Sequence, residues 1–135
     1  MSNSPVYDDF AAKVSTFAAG LSPPLPVAFP GVGKDPPSDG QWLEVSWFPN
    51  ETQNYGRSDD APALSQGIGQ VAVCYRPGGG IVEGLALADQ VITAFPKGTV
   101  FVDVRVYRKP WVSSVVIQPD YVMHPVTIMW RGFNS

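Results

Sequence analysis

Charge is scarce in this chain: of 135 residues, nine are basic and twelve acidic, 16% in all, for a net charge of −3. A protein that grips a nucleic-acid backbone needs clustered lysine and arginine, and none is expected here. Cys74 is the one cysteine and His124 the one histidine. One cysteine excludes an internal disulfide and removes any need for an oxidising compartment. One of each excludes the usual structural zinc site within a single chain, and one histidine excludes a two-histidine acid–base pair. Long apolar runs are also missing, so no membrane-spanning helix is expected. The opening stretch, MSNSPVYDDF, has neither a basic region nor an apolar region of the signal-peptide kind. These absences point to a soluble, cytoplasmic protein.

Turn-forming residues are plentiful. Fourteen prolines and thirteen glycines punctuate a chain that is 44% hydrophobic. This composition predicts a single domain over residues 1–135, built of short elements rather than a long helical bundle.

Ser4-Pro5 opens a first helix, with Ser4 as cap and Pro5 at the first helical position. Asp8 and Asp9 are expected in its first turn, where the helix dipole favours negative charge. Val6, Phe10, Val14, Phe17 and Leu21 form its apolar stripe, and Gly20 closes it. Residues 21–40 hold six prolines and exclude a helix, but leave room for a short edge strand over 26–29. Residues 41–48 alternate, with Leu43, Val45 and Trp47 on one face and Glu44 and Ser46 on the other. Residues 69–76 do the same, with Val71, Val73 and Tyr75 together. A second helix is expected from about Ile81 to Phe95, its stripe made of Ile81, Leu85, Ala88, Ile92 and Phe95. Three strands follow at 99–108, 111–118 and 121–132, separated by turns at Arg108-Lys109-Pro110 and Pro119-Asp120. Pro125 would break the last ladder, so an edge position or a bulge is expected there. The fold class is α+β: a mainly antiparallel sheet of about five or six strands packed with two helices, in the order α-β-β-β-α-β-β-β.

Residues 49–65, PNETQNYGRSDDAPALS, read as a long flexible loop. Connections of this length are usually functional, and Tyr55, Arg57, Asp59 and Asp60 are its candidate interaction residues.

The stretch CYRPGGGIVEG runs strand, glycines, helix, an order that often binds phosphate. It lacks the Lys-Ser/Thr of a phosphate-binding loop, and Glu83 stands where a dinucleotide fingerprint needs glycine. Gly78, Gly79 and Gly80 are therefore read as a chain reversal that lets the second helix pack on the sheet. His124 reads as a half-buried, hydrogen-bonded sheet histidine. Cys74 reads as a small packed residue or one at a subunit contact. The carboxylates fall in caps, loops and polar faces, with no spacing that pairs two of them in a cleft. No catalytic residue, cofactor site or metal site is assigned. Trp42, Trp47, Trp111 and Trp130 fit core packing and subunit interfaces, with a ligand pocket near Trp42, Trp47 and Trp111 as the rival reading.

The block from WLEVSWFPN, through the variable loop, to SQGIGQVAVCYRPGGGIVEGLALADQVITAFPKGT resembles the tail terminator proteins of long-tailed bacteriophages, the lambda-type group. The shared pattern is a Trp-Leu strand, a Gly-Ile strand, a glycine turn and a helix of the LADQVITAF type closed by glycine. The likeness extends over roughly residues 5–132, but the quoted motif is confined to 42–99. It implies a non-enzymatic virion protein that assembles in the host cytoplasm. Such a protein forms a hexameric ring at the head-proximal end of the tail and stops the tail tube at its proper length. Its partners would be its own copies, the tail tube protein and a head-completion or neck protein, and DNA would pass through the ring without specific binding. A head–tail connector is the neighbouring alternative.

Overall fold

A computed structural model describes residues 4–21, 24–31, 40–49, 53–54, 63–78, 80–102 and 104–134. Helix α1 spans Ser4–Ala19. Its Val6, Phe10 and Val14 are buried and Phe17 and Leu21 half-buried, as the stripe predicts, and Ala18, outside the predicted stripe, is buried with them. The chain closes after it through Gly20, whose N–H meets the carbonyls of Thr16 and Phe17 at 3.1 and 3.2 Å. Because the helix already begins at Ser4, Asp8 and Asp9 lie beyond its first turn, contrary to expectation. Asp9 instead pairs with Lys13 one turn on, at 2.8 Å.

Strand β1, Val27–Ala28, lies at the sheet edge, where the proline-rich stretch predicts it, parallel to β2, Gln41–Pro49. β2 pairs antiparallel with β4, Ala63–Tyr75, and β4 pairs along its whole length with β9, Val122–Asn134. A two-residue β3, Gln53–Asn54, pairs with the start of β4 beyond the end of β2. Residues 53–54 and 63–65 are therefore strand rather than loop. The rest of the 49–65 stretch, apart from Pro49 at the end of β2, lies outside the described residues.

The second half departs from the predicted meander. The 99–108 strand is two: β5, Val100–Phe101, and β6, Val104–Val106, pair with each other as a hairpin. The alternating valines carry the pattern straight through the turn and conceal it. At the turn Val102 takes φ 59°, a region costly for a β-branched residue, and its N–H is held by Asp9 Oδ2 at 3.1 Å. Phe101, rather than Val100 or Val102, is the buried residue. The 111–118 strand also divides, into β7, Trp111–Val112, and β8, Val116–Ile117.

β6, β7 and β8 all pair antiparallel with β9 in successive registers, so they form one interrupted lane rather than separate layers of a meander. Arg108-Lys109-Pro110 is a break in that lane and not a reversal. The chain does reverse at Pro119-Asp120, where Gln118 donates to the Tyr121 carbonyl at 2.8 Å. Pro125 lies in a central strand, opposite Ala72 of β4. Its carbonyl accepts from Ser113 at 2.8 Å. In an antiparallel ladder a residue's nitrogen and carbonyl point the same way, so its missing N–H faces residues 113–115, where β7 has ended and β8 has not begun. The interruption falls in the neighbouring lane, which is why proline survives away from an edge.

The result is α+β: among the described residues six strands run in the order β1-β2-β4-β9-β6-β5, β3 adds to β4 and β7 and β8 to β9, and the β1–β2 pair alone is parallel. Helix α2, Val82–Ala94, joins α1 on one face of the sheet. Phe10 is the hub: its ring centroid lies 5.2 Å from Trp47, 5.8 Å from Phe95 and 5.5 Å from Phe101. It covers Gly69, where an added Cβ would stand 2.9 Å from the Phe10 ring.

Candidate functional site

The glycine turn is the first place to look for chemistry. Gly78 and Gly80 have φ of 121° and 77°, so a chain reversal is what they provide. The helix they introduce has no side-chain cap at Ile81 and carries Glu83 in its first turn. A carboxylate there opposes an anion.

The close approach of helix to sheet belongs to Gly84 instead. A Cβ at Gly84 would collide with His124 and Tyr75. The true buried stripe of α2 is Gly84, Leu87, Ala88 and Val91, continued by Phe95. The predicted stripe is rotated from it: Ile81 and Leu85 are 42% and 37% exposed. The predicted stripe left out Gly84, the residue on which the helix rests.

Under Gly84, His124 is fully buried rather than half-buried, and its Nε2 lies 2.7 Å from the Tyr75 hydroxyl. Nδ1 has no partner among the described residues. Burial holds the His124 imidazole below its usual pKa and raises the Tyr75 phenol. This pair welds strand to strand and offers no acid–base chemistry to a substrate. Cys74 is buried, with Sγ 3.8 Å from the Ala72 carbonyl, and burial pushes its thiol well above the usual range. Among the described residues no group of three or more histidine, cysteine, aspartate or glutamate side chains could hold a metal ion.

The tryptophans divide between the faces. Trp47 stacks on Trp130 at 4.9 Å on the helix side. Trp42 belongs to the opposite face with Ala72 and Cys74, against Tyr121 and Met123, and carries Arg76 over its ring. Trp111 pairs with Thr127, in register with Gln70 and Ser46, and so shares that second face. A pocket formed by Trp42, Trp47 and Trp111 together is thereby ruled out.

The helix-free face also corrects the expectation that basic residues are dispersed. Arg105 and Arg131 stand opposite each other across β6 and β9. Arg131 lies over the Tyr107 ring and Arg108 over the Trp111 ring, at 4.2 and 4.9 Å from the centroids. The signal for this cluster was present in RVYRK, residues 105–109, but β9 had to supply Arg131.

Strand length sets the other feature of the surface. β4 and β9 each run 13 residues, roughly 40 Å at strand rise. The 16-residue α1 reaches only about 24 Å. The paired ends of β3, β4 and β9 meet at Gln53–Leu64, Asn54–Ala63 and Ala63–Asn134, leading toward residues 55–62. Tyr55, Arg57, Asp59 and Asp60 lie there, outside the described residues.

The phage tail terminator family model matches residues 6–130. No curated protein matches the chain. One solved chain of no stated function shares 22% identity at a TM-score of 0.79, covering 100% of this chain and 97% of the other. A chain of the virion of a native gene transfer agent particle shares 17% identity at a TM-score of 0.55, covering 98% and 94%. At these identities the two structures speak to the fold.

Proposed function

The chain belongs to the phage tail terminator family, and we propose that it works as a ring at the head-proximal end of a phage tail. There it caps the tail tube, stops its polymerisation and offers a surface to the head-completion or neck protein. The likeness to a chain of a gene transfer agent virion supports a place in the particle. The observation that carries the reading is the family match over residues 6–130, nearly the whole chain. The strand ends that lead beyond the helices suit a protein whose work is contact. On this reading residues 55–62 meet the tube or a neighbouring copy through Tyr55, Arg57, Asp59 and Asp60. The ring is a hexamer, and DNA passes through it without specific binding.

Light scattering across a concentration series, with and without the tail tube protein, tests this. The expected result is a closed assembly of about six subunits, formed alone or induced by the tube. A persistent monomer indifferent to the tube protein would overturn the reading. Replacing residues 55–62 with a short turn is expected to impair ring formation or tail assembly. The proposed contact fails if both are unchanged.

A further inference from the structure

Charge on the described surface is divided between its two sides. Register places Arg105 and Arg131 on the helix-free face. Arg108 and Tyr107 both direct polar atoms at Met129 Sδ, at 3.9 and 3.7 Å, which ties the arginine–aromatic pairs into one cluster. All three arginines are exposed, and among the described residues none forms an ion pair, the Lys13–Asp9 bridge being the one found there. Like charges opposed across two strands are unfavourable unless an anion lies over them. A guanidinium resting on an aromatic ring keeps its N–H fork free for that anion.

The helical side carries the opposite sign in excess, its Lys13 being paired with Asp9. Asp8 on α1 and Glu83 and Asp89 on α2 are exposed and outside any ion pair among the described residues. Val82 and Leu85 are exposed beside Glu83, and a shallow groove between the helices is lined by Phe17, Asp89, Gln90, Thr93 and Ala94. Apart from the three arginines, the chain carries six basic residues against twelve acidic ones. A second copy is therefore a complementary partner for the cluster.

We propose a head-to-tail contact in which the Arg105–Arg108–Arg131 cluster of one copy seats on the acidic helical layer of the next, with Trp111 against the exposed apolar start of α2. The contact joins unlike surfaces, so it repeats from copy to copy and closes when the rotation allows. It rests on the ring reading above and names the surfaces that build the ring.

Two charge-reversed proteins test it, Arg108→Glu/Arg131→Glu and Asp8→Lys/Glu83→Lys/Asp89→Lys. Light scattering at about 50 and about 500 mM salt reads the assembly. The unmodified chain is expected to associate less at high salt. Each variant alone is expected to self-associate at least about tenfold more weakly. An equimolar mixture of the two should assemble again, because one variant is acidic on both surfaces and the other basic on both. Recovery in the mixture also shows that both variants fold. If circular dichroism shows that either variant fails to fold, the Arg→Gln and Asp→Asn/Glu→Gln versions replace the pair and are expected to flatten the salt dependence.

Normal rings from either reversed variant alone would overturn the contact and leave the ring reading standing. An unmodified chain that stays monomeric, with or without tube protein, would overturn both. Fluorescence anisotropy with duplex DNA separates the remaining case: binding that is lost in Arg108→Glu/Arg131→Glu, with self-association intact, would assign the cluster to nucleic acid instead.

Discussion

The two faces of the sheet are made by the same strands and have opposite characters. On the helix side, Phe10, Trp130, Phe95, Phe101 and Ile128 are fully buried, and His124 is sealed with Tyr75 beneath Gly84. On the other side Trp42, Ala72 and Cys74 form the buried cluster found among the described residues, and Phe48, Trp111 and Val116 are exposed on that face, Trp111 under Arg108. An antiparallel sheet with one solvated face alternates apolar with polar residues. β9 does not: its second parity reads Met123, Pro125, Thr127, Met129 and Arg131. Pro125 and Thr127 of this parity are buried and Met123 and Met129 half-buried, so the lane of β7 and β8 and the Trp42 cluster already cover most of it within the chain.

The sharpest way to break this comparison is to truncate one tryptophan on each side. Trp130→Ala removes a fully buried ring stacked on Trp47 and is expected to cost about 3–5 kcal/mol. Trp111→Ala, at 37% exposure, should cost less than about 1 kcal/mol in the isolated chain. Urea denaturation of both variants provides the check. Equal losses would mean that the helix-free face is as much a folding core as the helix-covered one.

A middle-sized effect is expected at the seat of α2. Alanine is the better helix former by about 1 kcal/mol, so Gly84→Ala would stabilise an exposed helix. Here the new Cβ would stand 2.6 Å from His124 Cδ2, and overpacking of this kind costs about 1–3 kcal/mol. A lowered thermal midpoint is therefore expected. A raised one would show that α2 can lift from the sheet at no cost, and the helix-covered face would lose its claim to be the rigid one.

Most of this architecture was legible from the pattern of residues. α1, β1, β2, the core of β4, the turn at Pro119-Asp120 and β9 follow from periodicity and turn chemistry. Failures came where one residue type carried two meanings. Gly84 has no place in the predicted stripe and is the point of closest contact. Four alternating valines concealed a hairpin turn at Val102, because alternation says nothing about a reversal when valine takes a positive φ. Pro125 pointed to irregularity, but only the pairing of β7 and β8 shows that the irregularity falls in the neighbouring lane. The arginine cluster needed a register between residues far apart in sequence, which no local pattern supplies. The candidate residues of the 49–65 stretch rest on its length and composition alone.

The smallest effect expected is a pH dependence confined to the helix-covered face. His124 Nε2 shares a hydrogen bond with the uncharged Tyr75 hydroxyl, and Nδ1 has no partner among the described residues. A proton added to this ring would be buried with nothing to neutralise it; Glu83, beside Gly84, is exposed. Burial thus lowers the folded-state pKa from its ordinary 6.5. As pH falls below about 6.5, the unfolded chain takes up the proton first, so stability declines until the folded-state pKa is passed and then levels off. Above pH 7 the group contributes no slope. One proton limits the slope to about 1.4 kcal/mol per pH unit. His124 is the only histidine, and most carboxylates titrate lower, so the interval between about pH 5 and 6.5 isolates it. Urea midpoints across that interval should fall in the parent chain and stay level in His124→Gln. A parent chain whose stability is level there would mean that the buried imidazole accepts its charge freely and that the seal under Gly84 is open to water.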